Sequence, residues 1–321
     1  MLYIQDWHEG MRVAGVYLCK TRNAAVTKNG KAYENLILMD KTGTVDAKIW
    51  EPDDPGIDEF SALDYIDIIG DITRFNGSLQ VSLKRVRKVR EGEYDPADYL
   101  PTTDMNVEKM YSTLLEFVDK VENPYLSKLL KRYFVEDDDF TRRFKAASAA
   151  KTVHHAFVGG LLQHTLYVTN LCYFMCRYYP VLNRDLLITA AICHDIGKTV
   201  ELSSFPQNDY TDDGQLLGHI MIGAEMIHDT AKEIDGFPAK LESDLKHCIL
   251  AHHGEFEYGS PKKPALAEAL ALNLADNMDA RMEMVTEYFK ANAQKPVDEW
   301  LGFHKILDSN LRRTGNLDNL K

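Results

Sequence analysis

Ionisable side chains that could ligate a metal are concentrated in the middle of this chain. Nine of its eleven histidines fall between positions 154 and 253. Several stand among apolar neighbours, as in LLQHTL, AICHDI, LLGHIM and ILAHHG, and an aspartate has a similar context in LNLADNMDA. Burying so many imidazoles and carboxylates without a shared cation would leave polar groups unpaired, at roughly 1–3 kcal/mol each. The sequence therefore predicts a metal site.

The candidate ligands are five histidines and two aspartates. They are His164, His194, Asp195, His219, His252, His253 and Asp276. Imidazole nitrogen and carboxylate oxygen suit Mn, Fe, Co, Ni or Zn, and no thiolate set competes with them. Asp195 has two oxygens and can bridge two ions. Adjacent helical residues point about 100° apart, so His194 and Asp195 can serve one centre only near a helix end, which Gly197 is expected to provide.

Two regions of different periodicity must position these residues, which predicts a multidomain chain, β followed by all-α. Residues 1–90 contain short β-rich runs separated by Asn-Gly and other turn signals, which predicts a five-stranded OB-like barrel. Another five-stranded barrel or a sandwich is the alternative. Residues 91–106 contain two prolines and are expected to be a linker. Apolar residues at three- and four-residue spacing predict an all-helical domain over 107–310, followed by a polar tail, 311–321.

The order H…HD…H…HH…D resembles the HD-domain phosphohydrolases, specifically their two-metal branch. The contexts HDIGK, GH, AHHG and LADNMDAR carry this likeness. With the OB-like region and the segment HHAFVGGLLQHTLYV, the chain is similar to the YhaM-type bacterial 3′-5′ exoribonucleases over nearly its whole length. The resemblance implies a divalent-metal enzyme, favouring Mn²⁺ or Co²⁺, that trims single-stranded RNA, and often DNA, from the 3′ end.

By this resemblance the ligands divide into two sets that share Asp195. The first set is His164, His194, Asp195 and Asp276, and the second is Asp195, His219, His252 and His253. Two ions a few ångströms apart can activate a water and neutralise the phosphate and the departing oxygen. Some relatives place Glu four residues before the first histidine or directly before it. This chain has Gly160 and Gln163 there, so neither an additional ligand nor an additional carboxylate is expected at these positions.

Other residues are candidates for catalysis or substrate binding beside Asp195. Lys198 could hold a substrate phosphate or stabilise charge in the transition state, or be a solvated lysine at a helix end. His154 and His155 could grip phosphate or shuttle protons, or belong to a plain exposed loop. Arg281 could contact substrate, although a surface ion pair is the alternative.

One more acidic residue lies close to a candidate ligand along the sequence. Asp279 is three residues from Asp276, and we expect it to be a partner of the metal ligands.

The N-terminal region offers candidate contacts to a single strand, because such strands are held by basic grooves with aromatic stacking faces. The basic residues are Lys84, Arg85, Arg87, Lys88 and Arg90, and the aromatic residues in or beside strands are Tyr17, Tyr33, Trp50 and Phe75. Taken singly, an aromatic residue is more often core, and a basic strand end often only discourages aggregation.

Composition limits the classes of partner. The net charge of −12 would normally oppose a polyanion, but residues 1–90 hold 13 Lys and Arg against 13 Asp and Glu, so the acid excess lies beyond them. Five cysteines without a CxxC pair predict buried apolar fillers rather than disulfides. No apolar run approaches the roughly 20 residues of a membrane span, and the start lacks a signal-peptide pattern, so we expect a cytoplasmic protein without a membrane partner.

Several functions stay open at this point. The leading hypothesis is a 3′-5′ exonuclease that releases nucleoside 5′-monophosphates, with a homo-oligomer as one candidate state. The same metal site could instead hydrolyse a small nucleotide, or hold mixed-valence iron in an oxygenase. A non-catalytic single-strand-binding regulator is the alternative from another class.

Overall fold

The computed structural model describes residues 1–27, 29–90, 92–151 and 155–315. It divides into two units, one of Met1–Thr102 with Phe205–Gln207 and one of Thr103–Ser204 with Asn208–Lys321. In the described part of the chain, no helix combines the length and apolar character needed to cross a membrane.

Five strands close into the barrel of the N-terminal unit. They are β1 (Arg12–Val26), β2 (Ala32–Asp40), β3 (Gly43–Ile49), β4 (Tyr65–Phe75) and β5 (Ser78–Lys88). β1 pairs antiparallel with β2 and β4, and β2–β3 and β4–β5 are also antiparallel, whereas β3 and β5 pair in parallel. The ring order β1-β2-β3-β5-β4 is that of a small Greek-key barrel, which confirms the predicted OB-type fold.

Every second side chain along parts of β2 and β4 is buried and fills the barrel, as the sequence pattern predicts. Leu36 and Leu38 of β2 and Ile66 and Ile68 of β4 are buried, with intermediate residues between them. Gly70 is required for packing, because a Cβ there would lie 2.8 Å from the carbonyl oxygen of Ser82. A one-residue register shift between β4 and β5 falls at this glycine.

The segment expected to be a linker, 91–106, packs against the barrel over part of its length. Tyr99 and Leu100 are buried, and the Tyr99 ring meets Tyr65 edge-on at 5.0 Å. The Tyr3 hydroxyl donates to Asp98 at 2.7 Å. Aromatic side chains in this otherwise polar segment supply apolar surface that can be buried. The two prolines predicted a linker, but the segment is not a free linker over its whole length.

Helices form most of the second unit. They are α1 (Val107–Asp119), α2 (Pro124–Lys131), α3 (Asp138–Ala146), α4 (Gly160–Tyr178), α5 (Arg184–Cys193), α6 (Lys198–Glu201), α7 (Asp212–Leu216), α8 (Gly218–Glu233), α9 (Ala239–Ala251) and α10 (Ala267–Ala291). Polar residues at several starts accept hydrogen bonds from the first turn, as expected of N-caps. These caps are Asn106, Asn123, Asp137, Asn183 and Thr211.

The helical unit also contains structure that the all-helical prediction does not include. Strands β6 (Trp300–His304) and β7 (Ser309–Arg312) form a two-stranded antiparallel sheet, so the predicted polar tail, 311–321, begins inside a strand. Both strands are short and five of their nine residues are exposed, which leaves no alternating apolar pattern to read. The end of the chain, 316–321, lies outside the described residues.

Candidate metal centre

The His-Asp pair lies just beyond a buried helix. α5 ends at Cys193, His194 is its C-cap, and Asp195 follows in the turn before α6. The expected helix end is therefore present, but Gly197 is not a left-handed stop, since its φ is −61°. Glycine is needed there for close approach, because a Cβ would lie 2.1 Å from the carbonyl oxygen of His219.

Four predicted ligands converge from three parts of the fold. His164 Nε2 in α4 lies 3.1 Å from His194 Nε2 and 3.1 Å from Asp276 Oδ1 in α10. Asp195 Oδ2 lies 3.3 Å from His194 Nε2 and 3.5 Å from His164 Nε2. Ligand atoms about 2.1 Å from one ion stand about 3.0–3.5 Å apart for bond angles between octahedral and tetrahedral values. These separations therefore fit a single ion.

The second predicted set surrounds the other oxygen of the same carboxylate. Asp195 Oδ1 lies 3.6 Å from His219 Nε2 and 3.7 Å from His252 Nε2. These three atoms are buried and make no hydrogen bond within the described residues. Ligand atoms of His219, His252 and His253 all lie within 4.8 Å of one another. Buried polar atoms seldom lack a partner, and a second cation between these residues would satisfy them.

Each of the five histidines has its Nδ1 atom held by an oxygen, which directs Nε2 toward the centre. His164 uses Asp279 at 2.7 Å, and His219 uses Glu201 at 2.9 Å. Backbone carbonyls serve the other three: Ala191 for His194 at 2.8 Å, Ile249 for His252 at 2.7 Å and Tyr258 for His253 at 2.8 Å. His194 and His252 share one local motif, since each caps a helix and donates to the carbonyl three residues earlier.

The electrostatics of the cluster favour a cation. Burial raises the pKa of Asp195, but Lys198 and His194 hold it well below its ordinary value. Burial lowers the pKa of His164, yet hydrogen bonds to Asp276 and Asp279 raise it to about 10. The site therefore stabilises positive charge beside His164. Burial lowers the pKa values of His252 and His253, which keeps both imidazoles neutral and able to ligate a metal.

Lys198 and His155 both lie at the centre, in different ways. Lys198 Nζ donates to Asp195 Oδ2 at 2.7 Å, so it is not a solvated lysine. His155 is fully buried with φ of +57°, and its Nε2 lies 3.0 Å from Asp279 Oδ2. Because Asp279 also accepts from His164, His155 connects to a candidate metal ligand through one shared carboxylate. The plain exposed loop considered for His155 is wrong.

Of the remaining candidates in this unit, Asp279 is a hydrogen-bond partner of the histidines and Arg281 lies at the surface. Asp279 is buried and accepts from both histidines named above. Arg281 is exposed, and its Nε donates to Asn277 at 3.2 Å, without an ion pair to the described residues. His154 lies outside the described residues.

The basic residues of β5 are largely paired with carboxylates. Lys84 pairs with Asp71, Arg87 with Asp67 and Glu93, and Lys88 with Asp64. The register of β4 and β5 explains part of this, because Asp67 lies directly across from Arg87. Arg85 is exposed and has no ion pair within the described chain. The predicted basic groove is therefore mostly charge-compensated.

The predicted aromatic contacts differ in exposure. Tyr33 and Trp50 lie together with ring centroids 5.2 Å apart and planes 30° apart, and Lys48 Nζ lies 5.3 Å from the Tyr33 ring. Trp50 and Phe75 are exposed. Tyr17 is fully buried and donates its hydroxyl to the Leu2 carbonyl, so it belongs to the barrel core.

Sequence reasoning missed Glu201. Its Oε1 accepts from both the backbone N–H of His219 at 3.0 Å and the His219 ring at 2.9 Å. Hydrogen bonds with His219 keep the pKa of Glu201 below its ordinary value against the effect of burial. The sequence signal that could have identified Glu201 is an acidic residue three positions after Lys198, which is the last residue of HDIGK.

Comparisons with known proteins agree with this geometry. The HD domain family matches residues 161–281, which contain all seven candidate ligands. "3'-5' exoribonuclease YhaM" of Geobacillus sp. is 34% identical over 88% of this chain and 86% of its own. The proteins of that name from Bacillus velezensis and Bacillus subtilis are 35% and 34% identical, each over 87% of this chain and 88% of their own.

Among solved structures, the second OB-fold domain of replication protein A from Methanococcus maripaludis aligns with 29% of this chain and 98% of its own, at 18% identity and a TM-score of 0.22. The OB assignment rests on the strand order of the barrel instead. Identity above 30% over nearly nine-tenths of this chain and of each relative settles the relationship. The chain belongs to the family of the YhaM 3′-5′ exoribonucleases.

Proposed function

We propose that this protein is a divalent-metal-dependent 3′-5′ exoribonuclease that trims single-stranded RNA to nucleoside 5′-monophosphates. The observation that carries the proposal is the position of Asp195. One of its oxygens faces His164 and His194, and the other faces His219 and His252. A carboxylate shared in this way is suited to bridging two ions. The relatives are named 3′-5′ exoribonucleases, which supplies the reaction and its polarity.

The proposed ligands fit two ions, most simply Mn²⁺, with Co, Fe, Ni or Zn as alternatives for this nitrogen and oxygen donor set. His164, His194, Asp195 and Asp276 would hold one ion, and Asp195 with His219, His252 and His253 would hold the other. When bound, such ions lower the pKa of a water and neutralise charge on a phosphodiester. A third carboxylate ligand is not part of the proposal, because Gly160 stands four residues before His164.

The chain's own residues complete the proposed site. Lys198 holds Asp195 by a direct hydrogen bond and is placed to offer its remaining N–H groups to a substrate phosphate. His155 acts through Asp279 on the orientation of His164, rather than on substrate. In the barrel, Tyr33, Trp50 and Lys48 form the candidate stacking face for a single strand.

The direct test is digestion of a 5′-labelled single-stranded RNA with Mn²⁺, followed by analysis of both the ladder and the released products. A ladder shortening from the 3′ end with 5′-monophosphate release is expected. An intact strand, or release of 3′-monophosphates, would overturn the proposal. The same assay with single-stranded DNA measures the proposed secondary activity, and repetition with Co²⁺, Fe²⁺, Ni²⁺ and Zn²⁺ identifies the preferred ion.

One observation favours a second candidate, a hydrolase of small nucleotides. The ion pairs of Lys84, Arg87 and Lys88 reduce the free positive charge available to a long polyanion. Replacing Trp50 with Ala distinguishes the candidates, since an exonuclease that uses the barrel should turn over RNA more slowly while hydrolysis of a nucleotide phosphodiester stays unchanged. Equal rates on RNA for Trp50→Ala and wild type would favour the small substrate.

Other predictions remain linked to this proposal. A cytoplasmic location and a homo-oligomeric state stay predictions. A non-catalytic regulator, the alternative from another class, would bind the strand without hydrolysing it under any of these metals.

A further inference from the structure

Exposed apolar residues lie within five positions in the sequence of the two half-buried histidines of the candidate metal cluster. His219 and His253 are the two histidines of the cluster that keep partial exposure, and their ring centroids lie 5.2 Å apart. Phe256 and Tyr258 follow His253 within five residues and are 59% and 63% exposed. Leu216 and Leu217 precede His219 and are 80% and 50% exposed. Two separate segments therefore bring large apolar side chains to the same neighbourhood.

The segment after His253 is held rigidly by hydrogen bonds. His253 Nδ1 donates to the carbonyl oxygen of Tyr258 at 2.8 Å, so the backbone of Tyr258 lies beside the metal ligand. Gly254 has φ of +80°, and a Cβ there would lie 2.6 Å from the amide nitrogen of Asn273. The Ser260 hydroxyl lies within hydrogen-bond distance of the carbonyls of Leu250 and Lys262. A fixed backbone here holds two aromatic residues without burying them.

The segment before His219 is fixed in a similar way. Glu201 accepts from the His219 backbone and ring, and the Thr211 hydroxyl caps α7 through Gly214. Leu216 is the last residue of α7 and Leu217 follows it directly before α8, so both lie between these two anchors. Large exposed apolar side chains often mark a binding site. On a rigid backbone they are favourable for binding, because little conformational entropy is lost when a ligand contacts them.

We propose that Phe256 and Tyr258 form a stacking site for the bases next to the phosphodiester that is cut, with Leu216 and Leu217 as its apolar border. This proposal rests on the exoribonuclease function proposed above. The occupant follows from position, because a strand whose phosphate lies at the cluster must hold the bases on either side of that phosphate nearby, each joined to it through one ribose. Aromatic stacking accepts every base, so the site supports trimming without sequence preference.

Charge at this site is balanced rather than basic. Lys263 pairs with Glu255 at 2.5 Å, and its Nζ lies 5.6 Å from the Phe256 ring. Glu257 lies between the two aromatic residues in the sequence. We therefore expect this site to contact the faces of the bases, whereas the metal cluster contacts the phosphate.

The test compares two RNA strands that differ only at the 3′ end, one with ordinary bases and one with abasic residues in the last two positions. Phe256→Ala and Tyr258→Ala should each raise the KM for the ordinary strand by about 5-fold or more, and leave the abasic strand unchanged. Phe303→Ala is the matched control, since Phe303 is 56% exposed in β6 of the same unit. Tyr258→Phe should behave as wild type, because it keeps the aromatic face.

A binding measurement separates this proposal from the proposed activity. A strand ending in 2-aminopurine, with its last linkages made resistant to hydrolysis, should lose fluorescence on binding to the wild-type holoenzyme, and the loss should be smaller for both alanine variants. Absent RNA hydrolysis with intact quenching would remove the exonuclease and keep the stacking site. Unchanged KM and quenching in the variants would overturn the stacking site, as would an equal loss on ordinary and abasic strands.

Discussion

At the scale of single residues, Asp195 joins the two halves of the centre. Its two oxygens face different histidine pairs, and its own position is fixed by Lys198. No other carboxylate among the described residues has this relation to both sets. Its removal should therefore affect both ions at once.

Replacing Asp195 with Ala should lower RNA hydrolysis by more than the roughly 10–100-fold typical of residues that only support a ligand. Strand binding should persist, because the proposed barrel contacts do not involve the cluster. Hydrolysis rates and fluorescence anisotropy of a labelled strand measure the two effects. A variant that retains a tenth of wild-type activity would contradict the bridging role.

Asp279 offers a second prediction at this scale. Asp279→Asn leaves a neutral acceptor between His155 and His164, so the orientation of His164 should be less firmly fixed. The Mn²⁺ dissociation constant, measured by calorimetry, should rise about 10–100-fold, with kcat recovering at saturating Mn²⁺. Asp229→Asn, on an exposed position of α8, is the control. A lower kcat with unchanged metal affinity would instead assign Asp279 to the chemistry.

The candidate ligands could be selected from sequence because each is an ionisable group in an apolar context, and their role as ligands stays a prediction. The burial of His155 could not, since it depends on a left-handed backbone and a contact 124 positions away with Asp279. Glu201 was missed for the same reason, because its partner His219 lies 18 positions on and only the fold joins them.

At the scale of elements, periodic patterns predicted well where one face of an element is buried. The barrel strands and α1 follow their alternation and three-to-four spacing. The hairpin of β6 and β7 has mostly exposed residues, so no such pattern exists to be found. The pairing of Lys84 and Arg87 of β5 with Asp71 and Asp67 of β4 depends on the register of the two strands, which cannot be read from composition.

A substitution at Gly197 tests whether the close approach of this turn to α8 supports the candidate metal centre. Gly197→Ala would place a Cβ against the His219 carbonyl at the start of α8, which should lower the free energy of unfolding by about 1–3 kcal/mol, as overpacking does. Mn²⁺ affinity should fall as well, because His219 must move. Gly43→Ala is the matched control, with nothing within 4 Å of the added Cβ. Urea unfolding and metal titration give both values, and equal behaviour of the two variants would contradict this packing role.

At the scale of the whole molecule, metal binding should stabilise the two units unequally. The candidate ligands all belong to the helical unit, whereas the barrel has its own apolar core. At a free ion concentration of 100 times the dissociation constant, a bound ion adds about 2.7 kcal/mol to stability. Loading should therefore favour the helical unit specifically.

Chelation should lower the unfolding temperature of the helical unit and leave that of the barrel in place. Circular dichroism at 222 nm follows the helices, and the fluorescence of the buried Trp7 follows the barrel. Restoring Mn²⁺ should reverse the change in the helical signal. Equal shifts in both signals, or none in the helical one, would count against a metal centre confined to this unit.

The shared carboxylate has a consequence for how the protein responds to metal supply. One half of the cluster has Asp276 in addition to Asp195, whereas the other has three histidines and only the shared Asp195. The half with more negative charge should bind its ion first and more tightly. That ion then shares the negative charge of Asp195 with the second ion, so occupancy of the two halves is thermodynamically coupled. Calorimetry should resolve two unequal binding steps, and a single step of two equivalent ions would argue against it. The weaker half would then make the rate of RNA trimming a graded readout of the free metal concentration.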